Sequence, residues 1–265
     1  GGYNALSGSN YSTIGGGSGN SILKTNWSSI GGGSGNTMSD SITSTIGGGN
    51  KNDIRFGSNT SIVGGGYNRI EPDPNAPSAG NKYSTIGGGK LNLISAVSYG
   101  GLGNAMSSNY SSIVGGKNNG MSASTYSTIG GGRLNKIGTP ISSLTISNNN
   151  IDSVIAGGYG NSVSYSTTSS IGGGKNNSIK SINRELIEKD SVIGGGFGNT
   201  IIKTQVSFDS SSSNFIGAGM NNENSSVFAG VIVGGYSNRL SGRTSSILGG
   251  YGNKIYKDTY LSHIL

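Results

Sequence analysis

The sequence of 265 residues contains no cysteine, so neither a disulfide nor a thiolate metal site stabilises the fold. It has one histidine, His263, and few charged residues, which leaves little material for a catalytic centre. No run approaches the roughly 18 apolar residues of a membrane-spanning helix. The hydrophobic fraction is 31%, against roughly 45–50% in globular domains. We therefore expect a narrow core and no membrane insertion by this segment.

What the sequence has in abundance is glycine, 51 residues, much of it in a repeated word, Ile-Gly-Gly-Gly-x-x-Asn-x-Ile. Repetition at a short period predicts a solenoid, in which each coil packs only on its neighbours. A disordered Gly/Ser linker would have no reason to keep Ile at fixed positions. A truncated copy opens the chain in mid-repeat, from which we expect a piece of a longer protein. The fourteen complete copies begin at Ile14, Ile30, Ile46, Ile62, Ile86, Ser98, Ile113, Ile129, Ile155, Ile171, Ile193, Ile216, Ile232 and Ile247.

We number each copy from its first residue, position zero. The stretch Ser-Thr-Ile before the glycines alternates as a strand does, and a second apolar site follows at position eight. The sequence therefore predicts an all-β fold, a single-domain parallel β-solenoid (β-roll) of about 15 coils with mostly 15–16 residues per coil. We place the repeat domain at residues 1–255. Residues 256–265 break the repeat and are predicted to be a C-terminal cap or the start of a further segment.

The most regular polar position is position six, which is asparagine in every copy, including the truncated one (Asn4). Asparagine tolerates the left-handed region, and stacked amides bond from coil to coil. We interpret the column as a structural ladder, in preference to a row of ligand-binding amides. Its members are Asn20, Asn36, Asn52, Asn68, Asn92, Asn104, Asn119, Asn135, Asn161, Asn177, Asn199, Asn222, Asn238 and Asn253. Position three is glycine in every copy, which predicts positive φ or close approach of a backbone.

Four longer inserted loops fall in the same arc of the coil, between the second apolar site and the next strand. They span 71–80, 138–150, 180–190 and 203–213. Insertions gathered on one side often mark a binding face. Variation in exposed loops without a binding role explains them equally well.

The net charge of +7 lies entirely in the turn between the glycines and the asparagine. Stacking makes this turn a basic stripe, a candidate site for anionic glycans, lipopolysaccharide or nucleic acid. Solubility is the preferred explanation, and no specific nucleic-acid module is present. The members of the stripe are Lys51, Arg69, Lys90, Lys117, Arg133, Lys136, Lys175, Arg239 and Lys254.

An aromatic residue recurs three positions before position zero, at Tyr11, Trp27, Tyr83, Tyr110 and Tyr126. Aligned rings on an exposed flank could stack on sugars, or pack against the next coil or subunit. We favour packing.

Several activities are excluded or disfavoured. A calcium-binding roll needs Asp after its glycines, and an ice-binding face needs regular rows of Thr, which this chain lacks. Glu185, Glu188 and Asp190 share one insertion and could form a glycosidase pair, but a solvated charged loop is the preferred reading. We predict no enzyme, no catalytic or metal-binding residue and no cofactor.

The phrases Tyr11-Ser-Thr-Ile-Gly-Gly-Gly, Ser29-Ile-Gly-Gly-Gly and Ser191-Val-Ile-Gly-Gly-Gly resemble the head repeats of trimeric autotransporter adhesins, the YadA-like family. Similar repeats occur in phage and giant-virus fibre proteins. In the adhesin family, three left-handed β-rolls associate into a head that binds collagen or matrix. The commoner repeat there is shorter and lacks the asparagine column, and binding residues cannot be transferred because the family binds through a surface.

From these features we expect a non-enzymatic extracellular protein, the head or shaft of an attachment fibre on a cell or virion surface. The expected partners are copies of itself, with a homotrimer first and an end-to-end filament second, and a glycan, matrix or host-surface ligand. A self-assembling structural filament is the alternative, followed by a polysaccharide-degrading enzyme of the tailspike type.

Overall fold

The computed structural model describes residues 2–72, 80–99, 104–106, 108–138, 150–181, 188–203, 213–226, 228–257 and 259–265. Within these ranges the regular secondary structure is entirely β, with no helix. The parallel β-solenoid is therefore confirmed. Contacts divide the described residues into two compact units, one reaching to residue 132 and the other starting at residue 133.

The first unit consists of short strands, most of which pair in two parallel sheets. Its strands are β1 Ala5–Ser7, β2 Thr13–Ile14, β3 Ser21–Leu23, β4 Ser29–Ile30, β5 Thr37–Ser39, β6 Thr45–Ile46, β7 Asp53–Arg55, β8 Ser61–Ile62, β9 Arg69–Glu71, β10 Thr85–Ile86, β11 Leu93–Ser95, β12 Val97–Tyr99, β13 Asn104–Met106, β14 Ser112–Ile113, β15 Gly120–Ser122, β16 Ser124–Thr125 and β17 Thr128–Ile129. One sheet runs β1-β3-β5-β7-β9-β11-β15 and the other β2-β4-β6-β8-β10-β14-β17.

The second unit repeats this plan. Its strands are β18 Lys136–Gly138, β19 Asn150–Ile151, β20 Val154–Ile155, β21 Ser162–Ser164, β22 Ser166–Thr167, β23 Ser170–Ile171, β24 Ser178–Ser181, β25 Glu188–Ile193, β26 Thr200–Lys203, β27 Ser213–Ile216, β28 Glu223–Asn224, β29 Gly230–Ile232, β30 Arg239–Leu240, β31 Ser245–Ile247, β32 Lys254–Ile255 and β33 His263–Ile264. One sheet runs β18-β21-β24-β26-β28-β30-β32 and the other β20-β23-β25-β27-β29-β31-β33. The chain β19-β22-β25 forms a further row.

Each coil consists of two similar halves of eight residues. One half places Trp27 in the left-handed region (φ 56°), followed by buried Ser28 and, two residues later, buried Ile30. The other half places Gly35 there (φ 64°), followed by buried Asn36 and buried Met38. A left-handed residue turns the chain and the next polar residue faces inward. The asparagine therefore follows the left-handed residue, whereas the sequence suggested that it occupies that conformation itself.

The core is the pair of aliphatic columns predicted from the repeat. From Ile30 onward, the position-zero isoleucines of the described coils up to Ile247 are fully buried. The position-eight column is equally buried from Ile22 through Leu240, with Ile255 6% exposed. Asn224 replaces the aliphatic residue in one coil, where its side chain donates to the carbonyl of Gly230 (2.7 Å) and accepts from the amide of Ser226 (3.2 Å). The exception is therefore hydrogen-bonded in place.

The copy that begins at Ser98 does not form a coil. Its strands β12 and β13 pair with each other as an antiparallel hairpin. Strand β11 pairs directly with β15, and β10 directly with β14, so the stack closes across the hairpin. Ser98 follows Ile86 by only 12 residues, against the 15–16 of a regular coil, and it places Ser where the other complete copies have Ile. The predicted count of about 15 coils therefore included one inserted hairpin. This hairpin projects from the same arc of the coil as the four loops.

Part of the tail continues the solenoid. Ile264 lies in register with Ile247, and the amide of Ser262 donates to the Ser245 side chain (3.3 Å). Leu261 occupies the left-handed position before Ser262 (φ 49°). Residues 260–264 thus continue the coil pattern, which was not predicted because the repeat had been identified by its glycines.

Candidate functional surfaces

The asparagine column is an internal ladder with its hydrogen-bonding groups occupied. Asn52 is fully buried, and its side chain donates to the carbonyls of Gly48 (2.8 Å) in its own coil and Gly65 (3.1 Å) in the next. Its oxygen accepts from the amide of Asn68 (3.1 Å), and its own amide donates to Asn36 (3.0 Å). The same set recurs in the second unit, for example at Asn177. No free face is left for a ligand at these side chains.

Asn104 does not belong to this ladder. The amide of Asn119 donates directly to the side-chain oxygen of Asn92 (3.0 Å), so these two are consecutive steps. Asn104 lies in the antiparallel strand β13 instead. Its assignment to the ladder was wrong because the segment carrying it is inserted between coils.

A second ladder runs on the opposite side of the core. It is formed mainly by the Ser of the Ser-Thr-Ile stretch, two residues before position zero. The amide of Ser44 donates to the hydroxyl of Ser28 (3.2 Å), and that of Thr60 to Ser44 (3.4 Å). In the second unit the amide of Asn214 donates to Ser191 (3.3 Å). These inward hydroxyls accept hydrogen bonds from backbone amides of the next coil.

The predicted aromatic column packs ring on ring. Tyr83, Tyr110 and Tyr126 form a continuous stack with centroids 4.7 and 4.9 Å apart and nearly parallel planes. Tyr11 and Trp27 stack likewise at 4.2 Å. Each ring projects from a left-handed residue, and Tyr110 is stacked on both faces while the other four rings are stacked on one. The ring contacts join successive coils, so packing against the next coil is the role that this geometry supports.

The basic stripe divides into two columns with different surroundings. In the strand column, Arg69 pairs with Glu71, and Arg239 pairs with Glu223 at 3.0 Å. Lys136 and Lys254 are exposed in the same column. In the turn column, the cations instead flank aromatic rings.

We call this turn column the cation–aromatic column. In the first unit, the Lys51 and Lys90 nitrogens lie 5.4 and 5.7 Å from the centroid of the Tyr67 ring. In the second unit, the Arg133 guanidinium carbon and the Lys175 nitrogen lie 5.7 and 5.6 Å from the Tyr159 centroid. The cations were predicted from the sequence, whereas these two tyrosines were not, although they occupy positions five and four of the same turn.

Glycines at position two form an open row, and those at position three are enclosed. A Cβ built at Gly64, Gly115 or Gly157 meets no atom within 4 Å. A Cβ at Gly65 lies 2.1 Å from the carbonyl oxygen of the next coil, and its φ is 86°. Position three therefore requires glycine for the stacking of the coils, whereas position two leaves a smooth outer face.

In the described part of the chain, no group of three or more His, Asp or Glu side chains that could hold a metal ion occurs. Glu185 lies outside the described residues, and Glu188 is placed only by its strand pairing with Ser166. His263 lies in β33, where its ring nitrogen is 2.7 Å from the Ser246 hydroxyl. No helix within the described ranges is long and apolar enough to cross a membrane.

The fold and these surfaces define a parallel β-solenoid with an inert interior and two exposed side-chain columns. No protein-family model matches the chain, and no curated protein matches it in sequence. The resemblance to trimeric adhesin heads stays a prediction.

Proposed function

We propose that this chain is a non-enzymatic attachment module, the head or shaft of an extracellular fibre on a cell or virion surface. The observation that supports this most is that the inward side chains and the outward side chains have different roles. The inward columns are occupied by contacts between coils, as at Asn52 and Ile62, while the outward columns leave side chains such as the stacked tyrosines exposed on successive coils. Such a chain presents an extended periodic surface, which suits attachment to an extended ligand.

Self-association as a homotrimer is part of the proposal. The open glycine row, for example Gly64 and Gly115, has no atom of its own chain within 4 Å of a Cβ position. Side chains at these sites would be accommodated within the monomer, so the glycines there give no packing advantage to it. They allow another backbone to approach closely, which supports an interface along this face.

Attachment is tested with beads coated with the protein and offered to collagen, matrix and cell surfaces. Retention well above that of albumin-coated beads is expected. Retention equal to albumin on every surface would refute attachment, and release of reducing sugars from polysaccharides would instead identify the enzymatic alternative.

Association is tested by light scattering of the purified chain. A mass of three chains is expected for the native protein, and a mass of one for the double variant Gly64→Lys/Gly115→Lys. The control is Leu23→Lys, at an exposed strand position away from the glycine row. Unchanged circular dichroism must accompany the loss. Open-ended growth would favour the filament, and a native monomer would refute both assemblies.

A further inference from the structure

The cation–aromatic column holds positive charge in an unusual arrangement. In the first unit it comprises Lys51, Tyr67, Lys90 and Lys117, all exposed. The coils of Lys90 and Lys117 are adjacent, and these two residues are partners in a parallel bridge. Like charges at such directly opposed positions destabilise a sheet.

Acidic side chains do not compensate this charge. In the described ranges the ion pairs are Arg55–Asp53, Arg69–Glu71 and Arg239–Glu223, and none of them includes a cation of this column. The Tyr67 ring offsets part of the repulsion, since a cation over an aromatic face is stabilised by about 0.5–1 kcal/mol at exposed sites. The column thus keeps a positive potential that attracts an anion.

The same arrangement occurs independently in the second unit. There Arg133 and Lys175 flank Tyr159, and the Lys175 nitrogen also lies 5.6 Å from the centroid of Phe197. The motif is therefore cation, ring, cation on three consecutive coils. Its recurrence with different residues, Lys–Tyr–Lys and Arg–Tyr–Lys, indicates that charge and spacing matter more than a particular side chain.

The spacing points to a class of ligand. Successive strands lie about 4.8 Å apart, so cations on either side of a ring are spaced by about 10 Å along the column. That is close to the length of one disaccharide in an extended polysaccharide, in which acidic groups commonly recur on every second sugar. A straight, acidic polysaccharide can then place two successive acidic groups on the two cations of one motif.

A single-stranded nucleic acid fits less well. Its binding surfaces combine basic grooves with aromatic faces on which bases stack. Both Tyr67 and Tyr159 have a cation on each side of the ring, so their faces are already occupied.

We propose that the cation–aromatic column binds a linear acidic polysaccharide, sulfated or carboxylated, laid along the stacking direction of each unit. The tyrosines hold the flanking cations apart at the spacing of the ligand's charges. The biological role of this binding rests on the proposed attachment function, whereas the binding itself does not.

The test measures binding of the whole chain to immobilised heparin over a range of salt concentrations. The variant Lys51→Gln/Lys90→Gln/Arg133→Gln/Lys175→Gln removes the flanking cations of both motifs. The matched control Lys24→Gln/Lys82→Gln/Lys254→Gln/Lys257→Gln removes four exposed charges elsewhere. We expect the column variant to bind at least tenfold more weakly and with a reduced dependence on salt, and the control to change less than twofold. Thermal unfolding verifies that both variants fold.

Equal losses in the two variants would overturn the proposal, because net charge alone would then explain binding. Tighter binding of single-stranded DNA than of heparin would also overturn it. A second measurement separates it from the attachment function. If coated beads still adhere equally to cells stripped of acidic polysaccharides, attachment stands and this proposal fails as its explanation. If heparin binds but no surface retains the beads, the ligand class stands and attachment fails.

Discussion

Alanine at two adjacent glycines, Gly64 and Gly65, tests the stacking geometry directly. At Gly65 φ is 86°, and a Cβ would lie 2.1 Å from the carbonyl oxygen of Gly89 and 2.7 Å from the side-chain nitrogen of Asn68. At Gly64 a Cβ would meet nothing within 4 Å, and φ lies outside the left-handed region. The two sites differ by one position in the chain and receive the same methyl group.

The cost at Gly65 has two parts. A left-handed backbone costs an L-residue roughly 1–2 kcal/mol. Overpacking costs roughly 1–3 kcal/mol, here against a backbone that the next coil holds in place. We therefore expect Gly65→Ala to lower the free energy of unfolding by about 2–5 kcal/mol. Gly64→Ala should change it by less than about 0.5 kcal/mol, as exposed substitutions do.

Close approach of a backbone atom does not by itself exclude a side chain, as the position-one column demonstrates. A Cβ at Gly47 would lie 2.3 Å from the carbonyl oxygen of Val63, yet the same position-one column contains Val63 and Val114. Position three combines close approach with positive φ and is glycine in every copy. The combination is what excludes a side chain.

Urea denaturation followed by far-ultraviolet circular dichroism measures both variants, with m-values compared to verify that the same transition is observed. The reasoning is refuted if the two variants have the same midpoint within error. It is also refuted if Gly64→Ala is the less stable of the two.

Three other substitutions follow from the hydrogen bonds and ring contacts. Asn52→Ala should cost about 2–4 kcal/mol of unfolding free energy, since it removes two donated bonds and leaves the amide of Asn68 without its acceptor; the exposed Asn50→Ala is the control, and equal effects would contradict the ladder. Asn224→Leu restores the aliphatic pattern yet should destabilise by about 1–3 kcal/mol, because the Gly230 carbonyl loses its 2.7 Å partner; a stabilised variant in thermal unfolding would contradict this. Tyr110→Ala interrupts the stack on both faces and should cost about 1–3 kcal/mol at roughly 0.5–1.5 per ring pair; an unchanged melting temperature would show that the stack contributes nothing.

The sequence was sufficient to predict the columns that every coil needs. Isoleucine at position zero and glycine at position three each have one physical task repeated in every coil, so the repeat reveals them. The ladder role of Asn36 was predictable for the same reason. The conformation of its turn was not, because the left-handed residue before it varies among Gly35, Lys51 and Tyr67.

The errors in the predicted coil boundaries occurred at segments where the repeated sequence word and the structural coil do not coincide. The segment around Ser98 has the glycines and the asparagine, yet its strands β12 and β13 pair with each other. Ser262 and Ile264 continue the solenoid in a stretch that the glycine word does not mark. The rings of Tyr67 and Tyr159 escaped notice because their role depends on which cations stand on the neighbouring coils, a relation between coils that a single copy does not display.

The arc after the second aliphatic residue has consequences for engineering. Strand β11 pairs with β15 across the whole hairpin β12–β13, with the hydrogen bond from Asn119 to Asn92 unbroken at 3.0 Å. A loop leaving at this arc therefore changes the spacing along the chain without changing the register in space. Foreign peptides spliced into the same arc of coils that have no insertion, such as the one containing Met38, should be displayed at regular intervals along one side. Each unit is thus a graduated scaffold, on which the distance between two peptides grafted into that unit is set by the number of coils between them.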